Sequence, residues 1–425
     1  QFWPKLQDPR ERLANALRVP KAMSAPKPTI LIAGAGVGGL GLALFLSKSE
    51  KFNVQVFERA AELKPALGGQ YGLNGALDCL DRAGFHDVWA PLYHPIEKLE
   101  VRMGKKCRQV DIDLKGILNG TDFSNKFGAF MRGEFQAALA KALPEGMLQC
   151  GKEIVCVQEL ESGVKIEFSD GTSVTGDLLF GADGIQSTVR QQVFGEVPLV
   201  YSGIKIWWLV TDDTPPPHLQ SSIVEIPSTN ALTLSVTAGA QKKQVVLIGQ
   251  HASEPSPEEV KEGSSVEHFH KLCQDHGAYA EGVITEDRLR KARLMHFGLY
   301  QMPPGRCQDH WSRGRVCLLG DAIHATTPFM GQGANQAMQS AYCLARLLEE
   351  RGAEDYLSLF QEYHRIREPA TTSIINNSGA IGRLRVPQPT ENCFTGLKRC
   401  LFYGFPKLLP SVYGKVMAKQ FSIKV

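Results

Sequence analysis

One stretch constrains the chain more than any other: the apolar run from Thr29 to Leu46, Thr-Ile-Leu-Ile-Ala-Gly-Ala-Gly-Val-Gly-Gly-Leu-Gly-Leu-Ala-Leu-Phe-Leu. Ile30 to Ile32 read as a short buried strand. Gly34, Gly36 and Gly39 then fit a G-x-G-x-x-G turn from strand to helix, with Val37 and Gly38 inside it. The first glycine permits the tight turn, the second lets backbone amides approach a pyrophosphate, and the third brings the helix close to the strand. The helix N-terminus adds partial positive charge for phosphates. A second strand, Val54 to Phe57, ends in Glu58, 24 residues after Gly34 and followed by Arg59. An acid there can hydrogen-bond the hydroxyls of an adenosine ribose. Thr29 to Ser47 carries no charge, and Gly34 with Gly38 gives a G-x-x-x-G pair, so hydropathy alone would make it a membrane span. The turn spacing and the position of Glu58 favour a βαβ dinucleotide site.

At 425 residues the chain has room for two domains and a large core. A net charge of +3 is small for this length, which argues against nucleic acid as a partner. Ten cysteines are scattered, with no C-x-x-C pair and no His/Cys metal spacing. We expect reduced thiols in a cytoplasmic setting and no metal site. His268-Phe-His270 lacks further ligands at a recognisable spacing and reads as an exposed polar face. Residues 1–27 read as an N-terminal extension. It is basic, lacks the apolar core of a signal peptide, and holds a plausible start at Met23.

Further along, Leu63 to Gly69 is a glycine-bearing loop, and Asn74 to Ala83 an amphipathic helix. Ile96 to Met103 and Cys107 to Leu114 alternate as strands about a Gly104-Lys-Lys turn. Met131 to Leu139 opens another helix. Glu153 to Leu160, Gly163 to Phe168 and Ser173 to Phe180 form a meander, with Asp170-Gly171 as a hairpin turn. The segments Gly203 to Thr211, Ser222 to Ile226, Leu232 to Val236 and Gln244 to Gln250 are strands. Pro215 to Pro217 and Glu254 to Glu262 are exposed connectors, and Ser265 to Gly277 is a helix. The strand Arg315 to Leu319 ends in Gly320-Asp321-Ala-Ile-His324. Helices are expected over Asn335–Arg351, Asp355–Thr371 and Ser373–Arg383.

Three motifs in one order carry a family resemblance: Gly34-x-Gly36-x-x-Gly39, then Gly181-Ala-Asp183-Gly184 with Ser187 and Arg190, then Gly320-Asp321 with Pro328 and Gly331-Gln332-Gly333. Over roughly residues 28–385 the chain resembles the para-hydroxybenzoate hydroxylase-type (group A) FAD-dependent monooxygenases. The third motif is closest in flavour to zeaxanthin epoxidase and salicylate hydroxylase relatives. The resemblance implies an α/β fold with a Rossmann-like FAD-binding domain of glutathione-reductase type, an inserted mixed β-sheet substrate domain and a C-terminal helical region. It divides the chain into FAD-binding parts 28–95, 131–197 and 299–385, substrate-domain parts 96–130 and 198–298, and an apolar, basic tail 386–425.

By resemblance, FAD is the cofactor and NADPH or NADH a transient reductant. Reduced flavin meets O2, and the C4a-hydroperoxide hydroxylates an aromatic ring or epoxidises an alkene in a small, lipophilic, aromatic or isoprenoid substrate. The implied cofactor contacts are Gly34, Gly36, Val37, Gly38, Gly39, Glu58, Arg59, Arg132, Gln136, Asp183, Gly320, Asp321, Pro328, Gly331, Gln332, Gly333, Ala334 and Asn335. Asp321 would accept ribityl hydroxyls, and the helix beginning near Asn335 would face the flavin N1–C2=O edge. His324 is the one candidate catalytic base, although the flavin carries the chemistry. Tyr201, Trp207, Trp208, Phe297, Tyr300 and Phe329 are candidate substrate-lining residues. The tail reads either as a helical cap or as a peripheral membrane contact. Alternatives on the same scaffold are an isoprenoid-reductase-like flavoenzyme and a non-catalytic prenyl-protein escort. Retention of Asp183 and Asp321 disfavours the escort.

Overall fold

The computed structural model describes residues 27–63, 69–102, 109–228, 230–279, 281–303, 311–388 and 393–408, with single positions to 422. The expected N-terminal extension, the Gly104 turn and most of Val412–Val425 lie outside these residues.

Ile30 to Ala33 are fully buried because they sit mid-sheet. Thr29–Ala33 pairs in parallel with Asn53–Glu58 on one side and Leu178–Gly181 on the other. Val316–Leu318 and Leu148–Cys150 extend this six-stranded sheet at its two ends, and Ser312–Arg313 closes one edge antiparallel. Helix Val37–Leu46 is buried along its whole length. It packs on Gly333–Arg351, whose Met338 and Ala341 would clash with or crowd a side chain at Gly41. An uncharged helix is therefore a core helix here, hydrophobic all round because it is covered all round. Among the described residues, no helix is long and apolar enough to cross a membrane.

A second, seven-stranded sheet is mixed. It draws Lys98–Val101 and Val110–Asp113 from before the 131–197 block and five strands between Val200 and Gln301 from after it. Ser222–Pro227 pairs in parallel with Lys98–Val101, which joins the two sequence-distant parts. A small sheet of Gln70–Leu73, His94–Pro95 and Gly128–Met131 lies between the chain segments that feed the two large ones.

Three expectations change. The strand over Ser173–Phe180 is two strands, Ser173–Gly176 and Leu178–Gly181, in different sheets. The break is at Asp177, whose carboxylate accepts from the Thr29 amide at 2.6 Å while its own amide donates to the Thr29 carbonyl. The connector Glu254–Glu262 contains helix Pro257–Gly263, started by a reciprocal Ser256–Glu259 capping box; Pro215, expected exposed, is buried. The helices placed at Asp355–Thr371 and Ser373–Arg383 are one helix, Tyr356–Arg385, with Pro369 inside it. Pro369 is on the exposed face, while Tyr363, Arg367, Thr371, Ile375 and Ser378 are buried on the other. Packing of that face outweighs one lost backbone hydrogen bond.

The tail forms helix Cys393–Leu408. Tyr403 is buried, and its hydroxyl donates to Glu225 of the seven-stranded sheet at 2.6 Å. Arg385 completes this cluster, bonding Glu225 and donating to the Phe329 carbonyl at 2.7 Å.

Because Pro369 supplies no amide proton and faces solvent, Pro369→Ala should stabilise the protein by about 1 kcal/mol, the helix gain being offset by a freer unfolded chain. The urea midpoint should rise. A fall would mean that the packing needs the proline's bend.

Candidate active site

Gly34 lies at φ +97, and a side chain there would run into the backbone of Ala182 and Asp183. A side chain at Gly39 would strike the Gly34 carbonyl, so the helix is seated directly on the turn. Gly36 differs: only the Ala182 carbonyl, at 3.9 Å, is near, and Gly36 opens onto a cleft of about 390 Å³. Gly34, Gly36, Glu58, Arg59, Arg132, Gln136, Asp183, Gly184 and Asp321 line that cleft. All three sequence motifs thus meet at one end of the parallel sheet, where its strands Thr29–Ala33, Leu178–Gly181 and Val316–Leu318 finish.

Glu58 braces the turn, accepting from the Ala35 amide at 2.8 Å and the Ala60 amide at 2.9 Å. Gln136 donates to the Ala35 carbonyl at 2.6 Å. Asp183 accepts from Ser187 Oγ at 2.5 Å and from the Val189 amide at 3.0 Å, so it also starts helix Thr188–Phe194. Burial raises its carboxyl above the usual range, against those hydrogen bonds. Asp321 opens to the cleft but has protein packed around it. That surrounding raises its carboxyl, and Arg132 across the cleft pulls the other way. Arg190 is buried and donates to the carbonyls of Ala322 and Ile185, so it ties the second motif to the third.

Helix Gly333–Arg351 begins two residues before its expected start, and Gln332 at its cap makes no side-chain bond to the first turn. Its free amides are left for a ligand. Asn335 is fully buried and its carboxamide is used up inside the protein. It accepts from the Asn74 and Ala76 amides at 3.0 Å each and donates to the carbonyls of Gly72 and Gly331 at 2.9 Å each. Any contact with a ligand is through its backbone. Gly38 sits on the helix face toward Ala337 and Leu319, and Val37 is buried.

His324 is not in the cleft. It is buried, with Nε2 3.0 Å from Ser340 Oγ and its ring 5.7 Å from Trp311. Burial first, and the charge of Arg367 second, hold its imidazole down at about 3, so it stays neutral.

The aromatic candidates divide by strand alternation. Trp208 and Phe297 pack at 6.0 Å on the sheet face that meets Phe329 and Val386. Gly69 lies so close beneath the Trp208 indole that no side chain fits there. Trp207 points the other way, stacked on His296 at 4.3 Å and on His268 at 5.5 Å, inside the helix-covered face. The expectation for Trp207 is therefore corrected: it belongs to the packed layer behind the sheet. Tyr201 and Tyr300 pair at 5.5 Å at the far end, and Tyr300 donates to Glu254 at 2.7 Å. His268 is exposed, as read, with its ring against Trp207, and His270 is half-buried against Tyr279. Among the described residues no cluster of His, Cys, Asp and Glu could hold a metal.

Comparison with known proteins decides the family. The model of the FAD binding domain matches residues 27–378. The chain belongs to this family. It is 27% identical over 393 residues to the 6-hydroxynicotinate 3-monooxygenase of Pseudomonas fluorescens, covering 86% of this chain and 94% of that protein. It is 29% identical over 396 residues to the salicylate hydroxylase of Pseudomonas putida, covering 83% and 85%. The crystal structure of Klebsiella pneumoniae HpxO complexed with FAD and uric acid superposes with a TM-score of 0.79 at 19% identity, over 93% of this chain and 96% of that one. The group A reading of the three motifs and the assignment of FAD stand on these matches and on the fold. The glycine turn, the free helix amides and the open space at Gly36 fit a dinucleotide.

A neutral buried imidazole makes stability pH-dependent. The folded value lies below the ordinary one near 6.5, so His324 contributes stability above pH 6.5 and loses it as pH falls toward 3. His324→Gln should flatten urea stability against pH in that window, by up to about 1.4 kcal/mol per pH unit. An unchanged slope would show that His324 does not titrate on unfolding.

Proposed function

We propose that the chain hydroxylates a small, neutral aromatic compound, using O2 and electrons from NADPH or NADH, with FAD held in the cleft at Gly36. The observation that carries the substrate class is the meeting of Trp208, Phe297 and Phe329 on one sheet face, at the segment Pro328–Gly331 of the third motif. Beside Phe329 the buried charges of Arg385 and Glu225 pair with each other. An apolar ring fits this face, and a carboxylate would meet in Arg385 a charge that Glu225 already balances. Both relatives compared are named for oxidation of an aromatic ring, which favours hydroxylation over epoxidation here.

When bound, FAD supplies the electron transfer and the activation of O2. The residues divide the remaining work. Gly34, Gly36 and the amides of helix Val37–Leu46 take the pyrophosphate, and Glu58, with Arg59 beside it, the adenosine ribose. Arg132, Gln136, Asp183 and Asp321 hold the linking phosphate and ribityl. Gly320, Pro328 and Gly331 to Asn335 frame the ring through backbone. Trp208, Phe297 and Phe329 place the substrate and keep water from the reacting centre. We keep the division into nucleotide and substrate parts at 96, 131, 198 and 299; the two large sheets support it, except that strand Arg293–Gln301 of the second sheet crosses 299. We assign the C-terminal helix to capping the substrate sheet rather than to a membrane surface, because Tyr403 is committed to Glu225.

The test is NADPH and NADH oxidation in air by protein loaded with FAD, against neutral phenols, their carboxylated analogues and lipophilic alkenes. Neutral phenols should accelerate it and yield an added hydroxyl. Acceleration by carboxylates alone would sink the substrate class, and no acceleration by any compound would sink the monooxygenase.

Trp208→Ala should raise KM about tenfold, roughly the loss of one partly buried aromatic contact. Trp207→Ala should lower stability by about 3 kcal/mol and leave KM nearly unchanged. Equal KM effects from the two would contradict the assignment of faces.

A further inference from the structure

Beside the first turns of helix Gly333–Arg351 the protein buries a cation that no carboxylate balances among the described residues. Arg367, on helix Tyr356–Arg385, is 1% exposed. Its Nη2 donates to Gln336 Oε1 at 2.6 Å, and its Nε to Ser340 Oγ at 3.3 Å. The ionisable groups that bear on it are Tyr363, Cys343 and Cys79. Burial pushes all three toward their neutral forms. His324, sharing Ser340, is neutral as well. A buried, uncompensated guanidinium is costly unless an anion elsewhere feels its field.

The hydrogen bonds show where that field is directed. Gln336 turns its amide oxygen to Arg367 and its amide nitrogen to Gln332 Oε1 at 3.4 Å. Gln332 is the cap residue of helix Gly333–Arg351, is 1% exposed, and has a buried Nε2 with no partner. Two carboxamides in series thus run from a fixed charge to an unused donor at the helix end.

We propose that Arg367 is a positioning residue for redox chemistry. Through Gln336 and Gln332 it directs positive potential at the FAD ring and favours the reduced, negatively charged cofactor. The proposal rests on the FAD site assigned above. It adds a cause for the cofactor's potential that lies outside the cleft, on a helix that does not line it.

The test compares FAD-loaded wild type with Arg367→Met, Arg367→Lys and Gln336→Glu. The readouts are the midpoint potential, by equilibration with a reference dye, and the dissociation constant for sulfite, a nucleophile that adds to electron-poor flavin. Arg367→Met should shift the potential to more negative values and weaken sulfite binding about tenfold. Arg367→Lys, which keeps the charge, should stay near wild type. Gln336→Glu keeps the side-chain shape but sets a carboxylate against Arg367, and should shift both readouts in the same direction as Arg367→Met. If Arg367→Met does not fold, Gln336→Glu decides alone. Wild-type values in Gln336→Glu, or an equal shift in Arg367→Lys and Arg367→Met, would overturn the proposal while leaving the FAD site intact. Wild-type protein that does not bind FAD would overturn both.

Discussion

The carboxamide of Asn335 holds the cleft's far wall together. One side chain gathers the strand Gln70–Leu73, the start of helix Gly75–Arg82 and Gly331, just after Pro328–Met330, onto the start of helix Gly333–Arg351. Each partner is a backbone group that would otherwise be left without a bond at an element's end, and each such group buried alone costs about 1–3 kcal/mol. Because the four bonds come from one planar group, they fix angle as well as distance. The open amides at the start of that helix are held in place by a side chain that itself never faces the cleft.

Much of this was legible in the sequence. The glycine spacing at Gly34 and the acid at Glu58 locate a turn and its partner strand, because each demand is local and stereochemical. The aspartates at 183 and 321 were legible through their places at strand ends. Spacing places Asn335 at the start of its helix but says nothing of which way its side chain turns, and the four internal bonds of its carboxamide are visible only in the fold. The Trp207–Trp208 pair shows the same limit. Strand alternation requires that the two point oppositely, yet choosing the inward one needs the sheet's partners, Phe329 on one face and His268 on the other.

The splits and mergers have a common cause. Asp177 interrupts a run that looks continuous because two sheets compete for it, and a backbone pairing with Thr29 wins. Pro369 fails to interrupt a helix because burial on the opposite face supplies more than the missing hydrogen bond removes. Local propensity sets a preference of a few kcal/mol at most, and tertiary contacts exceed it at both positions.

Two buried arginines show how differently the same charge is used. Arg385 is neutralised in place: Glu225 pairs it, Tyr403 shares the carboxylate, and the Phe329 carbonyl takes another donor. That arrangement joins the C-terminal helix, the seven-stranded sheet and the segment at Phe329, and its charge is balanced in place. Among the described residues, Arg367 donates to amide and hydroxyl oxygens alone, which satisfy donors but not charge. A closed pair is suited to holding elements together, since breaking it exposes both charges. An open charge fixes little by itself, and what it adds is a potential at a distance. The fold therefore places the closed pair between the C-terminal helix and the seven-stranded sheet, and the open charge against the first turns of helix Gly333–Arg351.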